Sequence, residues 1–178
     1  LKALAAANRQ AVLKAWEGLG YYNRAANLHE AAKELVRIQD SGFRIQGNKK
    51  NLLANPPSLI PNLLSLPGIG RNTAHAIAAF AFGQPVAVME ANVKRVLCRV
   101  FALENPGNDE LWEKAALLLN KNDPFDYNQA MMDVGALVCT RRAPACGACP
   151  ASLICQGKTA PESYHAMKPK KAPPVRRK

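Results

Sequence analysis

The chain has 178 residues, 48% of them hydrophobic, with 24 Lys and Arg against 13 Asp and Glu for a net charge of +11. That length and apolar content exclude a disordered chain and allow one sizeable domain or two small ones, each with a buried core. The longest purely apolar run, Ala76 to Phe82, falls far short of the roughly 20 residues needed to cross a bilayer, so no membrane contact is expected.

Leu1 to Val12 lacks the layout of a signal peptide, and the cytosol is the expected compartment, with nucleoid association in a bacterium. The chain opens on Leu1, inside helix-like sequence, as a fragment or trimmed polypeptide would. Apolar residues recur at helical spacing almost throughout, as in Leu28, Ala31, Ala32, Leu35 and Val36, and no stretch alternates as a strand does. The fold class is therefore all-α. Breaks between helices are expected at "GLGYY" (Gly18 to Tyr22), "NPPSLIP" (Asn55 to Pro61), "LPGIG" (Leu66 to Gly70), "GQP" (Gly83 to Pro85) and "ENPGND" (Glu104 to Asp109).

The first chemical motif in chain order is "LPGIGRNTAHAIAAF", Leu66 to Phe80. Pro67, Gly68 and Gly70 make a tight turn that delivers backbone N–H groups to the start of an Ala-rich helix. Free donors and the helix dipole favour an anion there, and Arg71 adds charge. Preceded by the helix-like "IPNLLSL", this is the pattern of a helix-hairpin-helix, which grips one DNA backbone without reading sequence. Gly68, Gly70, Arg71, Asn72 and Thr73 are the expected phosphate contacts, whereas His75 reads as a packed or surface histidine.

Next comes "VMEANVKRVLCRV", Val88 to Val100, in which Glu90 precedes a helix. Two readings stand side by side: an acid favoured at a helix start by the dipole, or a catalytic carboxylate. Further on, Cys139, Cys146, Cys149 and Cys155 form a C-x6-C-x2-C-x5-C run bent by Pro144, Gly147 and Pro150. Four thiolates so close together can converge on a metal centre, and a reducing compartment disfavours disulfides. Zinc sites usually come as two C-x2-C pairs, so the single pair here favours a [4Fe-4S] cluster. Arg141 and Arg142 ride between the first two cysteines, where they can meet phosphates, and Cys98 reads as a small buried residue. From Lys168 onward, Pro mixed with Lys and Arg reads as a linker or disordered tail. It carries six of the net charges, leaving residues 1–167 at +5.

Taken together, "WEGLGYYNRAANLHEAA" (Trp16 to Ala32), "LPGIGRNTA", "ANVKRVL" (Ala91 to Leu97), "NQAMMDVGALVC" (Asn128 to Cys139) and the cysteine run resemble the helix-hairpin-helix DNA glycosylase superfamily, and within it the MutY-type adenine glycosylases. The resemblance implies a two-lobed helical fold: residues 1–85 as a partial lobe with the hairpin, 86–167 as a second lobe with the cluster loop, and 168–178 as the tail. It implies a monomer acting on double-stranded DNA that holds an A:8-oxoguanine or A:G mispair, with a [4Fe-4S] cluster as cofactor. Tyr21 maps to a wedge beside the oxidised guanine, Glu90 to the carboxylate facing the sugar cation, and Asn92 to its helper. Asn72 stands where bifunctional relatives carry a nucleophilic Lys, so no Schiff base is expected.

Three departures from the pattern matter. The acid that protonates adenine belongs to a helix upstream of the GLGYY region and maps to no residue here, which implies a chain inactive on its own. Glu90 and Ala91 stand where the family usually has Asp and Gly. The connection holding "GNKKNLLANPPS" is longer than the norm, and the C-terminal domain that checks for 8-oxoguanine is missing. The resemblance leaves two other readings open: a related glycosylase acting on T:G or U:G, or a non-catalytic DNA-binding module.

Overall fold

The computed structural model describes residues 1–40 and 56–164. The expectations for "GNKKNLLAN" and for the stretch from Lys168 lie outside those residues. Every regular element among the described residues is helical, as the periodicity predicts. The chain divides into two compact units, Leu1–Gln84 and Pro85–Lys178.

In the first unit, α1 (Lys2–Ala6) and α2 (Arg9–Ala15) pack on the long helix α3 (Tyr22–Asp40), and α4 (Pro56–Leu64) pairs with α5 (Arg71–Phe82). The helix-like opening of the chain is broken at Asn8, whose side chain accepts from Gln10 N–H at 2.8 Å and so caps α2. "NPPSLIP" is not the expected break: α4 starts at Pro56 and contains Pro61. Pro56 and Pro57 lose nothing in the first turn, where N–H groups have no intrahelical partner, whereas Pro61 stands inside the helix and gives up one backbone bond. Leu59 and Leu63 then bury one face of α4, with Leu66 just beyond it, while Ala74, Ala78 and Ala79 bury one face of α5. Gly83, at φ +61°, stops α5 in the left-handed conformation.

The second unit holds α6 (Ala91–Val100), α7 (Asn108–Leu118) and α8 (Pro124–Asp133). Val93, Leu97 and Cys98 of α6 meet Leu111, Trp112 and Ala115 of α7 in one core, joined by Ala87 and Met89 from the segment before α6. That segment is extended and pinned by the buried Asn128. Its Oδ1 accepts from Val88 N–H at 2.8 Å, and its Nδ2 donates to Val86 O at 3.0 Å and Pro124 O at 2.7 Å. One α8 side chain thus fixes the approach to Glu90. After α8 the backbone widens into a π-helical turn, Val134–Val138, before the cysteine loop begins.

Candidate functional site

Four groups of residues carry the chemistry, two in each unit. In the first unit, the turn before α3 is locked by Trp16, whose Nε1 donates to Gly20 O at 2.9 Å, and Arg24 lies over the indole ring. Tyr21 follows in the left-handed region, φ +48°, with 82% of its surface exposed. A non-glycine residue held there is strained, and the strain presents an unpacked aromatic ring to solvent.

The glycine hairpin sits between α4 and α5. Gly68 has φ +77°, and a Cβ there would lie 2.5 Å from the Asn27 side chain on α3, so a glycine is required twice over. Gly70 is different: its φ is −89° and a Cβ would meet nothing within 4 Å. It is the N-cap of α5 and has no side chain with which to cap, so α5 opens on backbone dipoles with Arg71 and Thr73 exposed beside them. Asn72 is partly buried on the same first turn.

In the second unit, Glu90 is the N-cap of α6, yet its side chain makes no capping bond. It turns instead to Asn92, whose Nδ2 donates to Glu90 Oε1 at 3.2 Å. The amide is oriented by Arg95: its guanidinium donates to Asn92 Oδ1 at 2.9 Å, and since arginine can only donate, Asn92 must aim its NH2 at the carboxylate. Arg95 also donates from Nε to Cys139 O at 2.8 Å and, from the same NH2 that reaches Asn92, to Gly135 O. Burial, followed by the neighbouring Arg99 charge, lowers the pKa of its guanidinium below the ordinary value. Gly135, in the π turn, lies so close to α6 that a Cβ would sit 2.7 Å from Asn92 Cβ.

The four loop cysteines are free thiols that line one pocket, together with Arg99, Lys158 and Pro161 among others. Among the described residues, no three His, Cys, Asp or Glu side chains gather for a single metal ion, although all four cysteines line the one pocket. Burial raises the Cys155 thiol above its ordinary pKa, and its three sister cysteines push in the same direction. Arg99, 3% exposed, donates from NH1 to Cys139 Sγ at 3.3 Å. Arg141 and Arg142 have exposed side chains, while their carbonyls accept from Arg99 and Thr140.

The family of HhH-GPD superfamily base excision DNA repair proteins matches residues 1–121. The chain belongs to that superfamily. Among HhH-GPD relatives it is 39% identical over 164 residues to an adenine DNA glycosylase of Homo sapiens, and 39% identical over 153 residues to one of Mycolicibacterium smegmatis. It spans 28% and 48% of those proteins, which cover 89% and 84% of this chain. A solved structure of a thermostable thymine-DNA glycosylase matches with a TM-score of 0.72 at 29% identity, over 89% of this chain and 69% of that one. A non-covalent endonuclease III–DNA complex matches in fold, with a TM-score of 0.68 at 21% identity, over 89% and 69% of the two chains.

Several residues of this arrangement carry no clear signal in the sequence. Arg95 and Arg99 escaped attention as ordinary basic residues, although Arg99 falls between Cys98 and Val100 on the apolar side of α6, a position where a charge needs partners. Gly135 and Asn128 have no local signature, because what they touch lies some 40 residues away.

Proposed function

We propose that this chain is part of a monofunctional DNA glycosylase that releases adenine mispaired with 8-oxoguanine or guanine. The observation that carries the reading is the side chain of Glu90, which sits at a helix start without capping it and is held at 3.2 Å by an oriented Asn92. Cleavage of an N-glycosidic bond leaves an oxocarbenium-like sugar, and a carboxylate fixed by a neutral donor is suited to face that charge. The departing base takes the bonding electron pair and a proton, and water adds to the anomeric carbon and gives up a proton in turn. Asn72 offers no amine for a Schiff base, so hydrolysis is the expected outcome and borohydride should trap no covalent adduct.

DNA is the proposed partner, bound by a monomer. The base must leave the stack before it can react, and Tyr21, an exposed and strained aromatic, fits the role of wedge. The hairpin at Gly68 to Thr73 and the arginines Arg141 and Arg142 fit the backbone. We infer that Cys139, Cys146, Cys149 and Cys155 hold a [4Fe-4S] cluster, since all four line one pocket and their run has a single C-x2-C pair where zinc sites usually have two. When bound, the cluster would pin the loop that carries the two arginines. Purified protein containing zinc and no iron would overturn this assignment.

A second reading, release of thymine or uracil opposite guanine, is favoured by the likeness to the thymine-DNA glycosylase. Single-turnover assays of the full-length protein on A:8-oxoguanine, T:G and U:G duplexes decide between them. Fast release from the first supports the adenine reading, and preference for either of the others replaces it. Tight binding without release from any duplex leaves a DNA-binding module.

A further inference from the structure

The guanidinium of Arg99 is buried and bonds to the cysteine loop and to Pro161 just after it. Nε donates to Pro161 O at 2.7 Å, NH2 to Arg141 O at 3.1 Å, and NH1 to Thr140 O at 2.6 Å. The second NH1 hydrogen faces two acceptors at equal range, Cys139 O and Cys139 Sγ, each 3.3 Å away. Cys139 O already receives the shorter bond from Arg95, at 2.8 Å. Once the thiol is deprotonated, the sulfur becomes the stronger acceptor of the two, and that hydrogen belongs to it.

We propose that Arg99 is a positioning residue of the cysteine centre, giving the Cys139 thiolate a charge-assisted N–H···S bond that raises the reduction potential of the bound cluster. The inference rests on the [4Fe-4S] reading above. Four thiolates around such a cluster carry a net negative charge that grows on reduction. Hydrogen bonds to the sulfurs and nearby positive charge favour the more reduced form. Arg99 also meets the loop from its other side: its own carbonyl accepts from Gly157 N–H at 2.8 Å, and the Cys155 sulfur lies 3.4 Å from that carbonyl, a hydrogen bond that ligation of Cys155 as a thiolate would end. One residue of α6 therefore touches both the first and the last cysteine of the run. DNA contact is not its role, because it is only 3% exposed.

The test uses the full-length, cluster-loaded protein. Iron and labile sulfide are measured first, then the potential by protein-film voltammetry for wild type, Arg99→Gln and Lys158→Met. Lys158 is the control, because it lines the same pocket and brings a positive charge of its own. The potential should move negative in Arg99→Gln and move less in Lys158→Met. Wild-type protein grown with guanidino-15N arginine should in addition show a weak 15N coupling to the paramagnetic cluster in pulsed electron paramagnetic resonance. This second measurement decides the matter if Arg99→Gln loses its iron. An iron-replete Arg99→Gln protein with unchanged potential, or a wild-type cluster without arginine coupling, overturns the role of Arg99 alone. Wild-type protein without iron overturns the cluster reading, and this inference with it.

Discussion

Asn128 shows how much a single side chain decides in this chain. Its three hydrogen bonds hold the extended segment before Glu90, and alanine would leave Val88 N–H and two carbonyls without that partner in a buried setting. Asn128→Ala should cost about 2–3 kcal/mol, seen as a lower urea midpoint by circular dichroism. The two hairpin glycines should part company. Gly68→Ala meets both a positive φ and the Asn27 side chain, and should lose about 1–3 kcal/mol. Gly70→Ala meets neither, so it should lose only what alanine costs at an N-cap, about 1 kcal/mol or less, while affinity for duplex DNA falls, because a methyl group then stands at the helix start proposed to meet a phosphate. Equal loss of stability in both variants would contradict this. Burial also pushes the Cys98 thiol up to about 11 and the Tyr127 phenol up to about 12, so the folded state favours both neutral forms. The stability they support is full below the ordinary thiol value of 9.0 and declines as the unfolded chain ionises above it. The urea midpoint should fall as pH rises past 9, and should fall less steeply in Cys98→Val.

At the scale of elements, α6 is the organising piece of its unit. One face packs Val93, Leu97 and Cys98 into the core, its N-terminus carries Glu90 and Asn92, and Arg95 and Arg99, one turn apart, tie it to the cysteine loop. The helix itself was legible in the sequence, because Val93, Val96, Leu97 and Val100 repeat at helical spacing, and the cysteine run was legible from spacing alone. The two arginine anchors were not: their partners are carbonyls on a distant loop, and carbonyls leave no mark in a sequence. The π turn at Val134–Val138 was equally hidden, since its form depends on Gly135 lying against Asn92 across the unit. The prolines of α4 misled in the other direction: Pro56 and Pro57 are harmless in a first turn, and Pro61 stands inside the helix despite lacking an N–H to donate. The loop gives a prediction of its own. Removing the proposed cluster should expose the Arg141–Arg142 bond to trypsin, because the loop carbonyls now held by Arg99 would lose their frame. Cleavage mapped by mass spectrometry at equal rates with and without iron would argue against a pinned loop.

For the whole molecule, the balance of 24 basic to 13 acidic residues points to a polyanion, and six of the net charges lie in the terminal stretch from Lys168. Much of the affinity for DNA should therefore be electrostatic and fall steeply with salt. The sequence conveyed fold class and family well because both rest on periodicity and on short motifs. The motifs around Glu90 already pointed to it as the carboxylate of the reaction, but its hold by Asn92 and Arg95 in place of a capping bond was not legible, since that depends on where the side chains turn. That carboxylate is the centre of the proposed reaction. In single-turnover release of adenine from an A:8-oxoguanine duplex by full-length protein, Glu90→Gln should be slower by on the order of a hundredfold or more, with DNA affinity and iron content retained and Glu90→Asp still active. A Glu90→Gln protein that releases adenine within about threefold of the wild-type rate, a loss of less than about 1 kcal/mol, would contradict it.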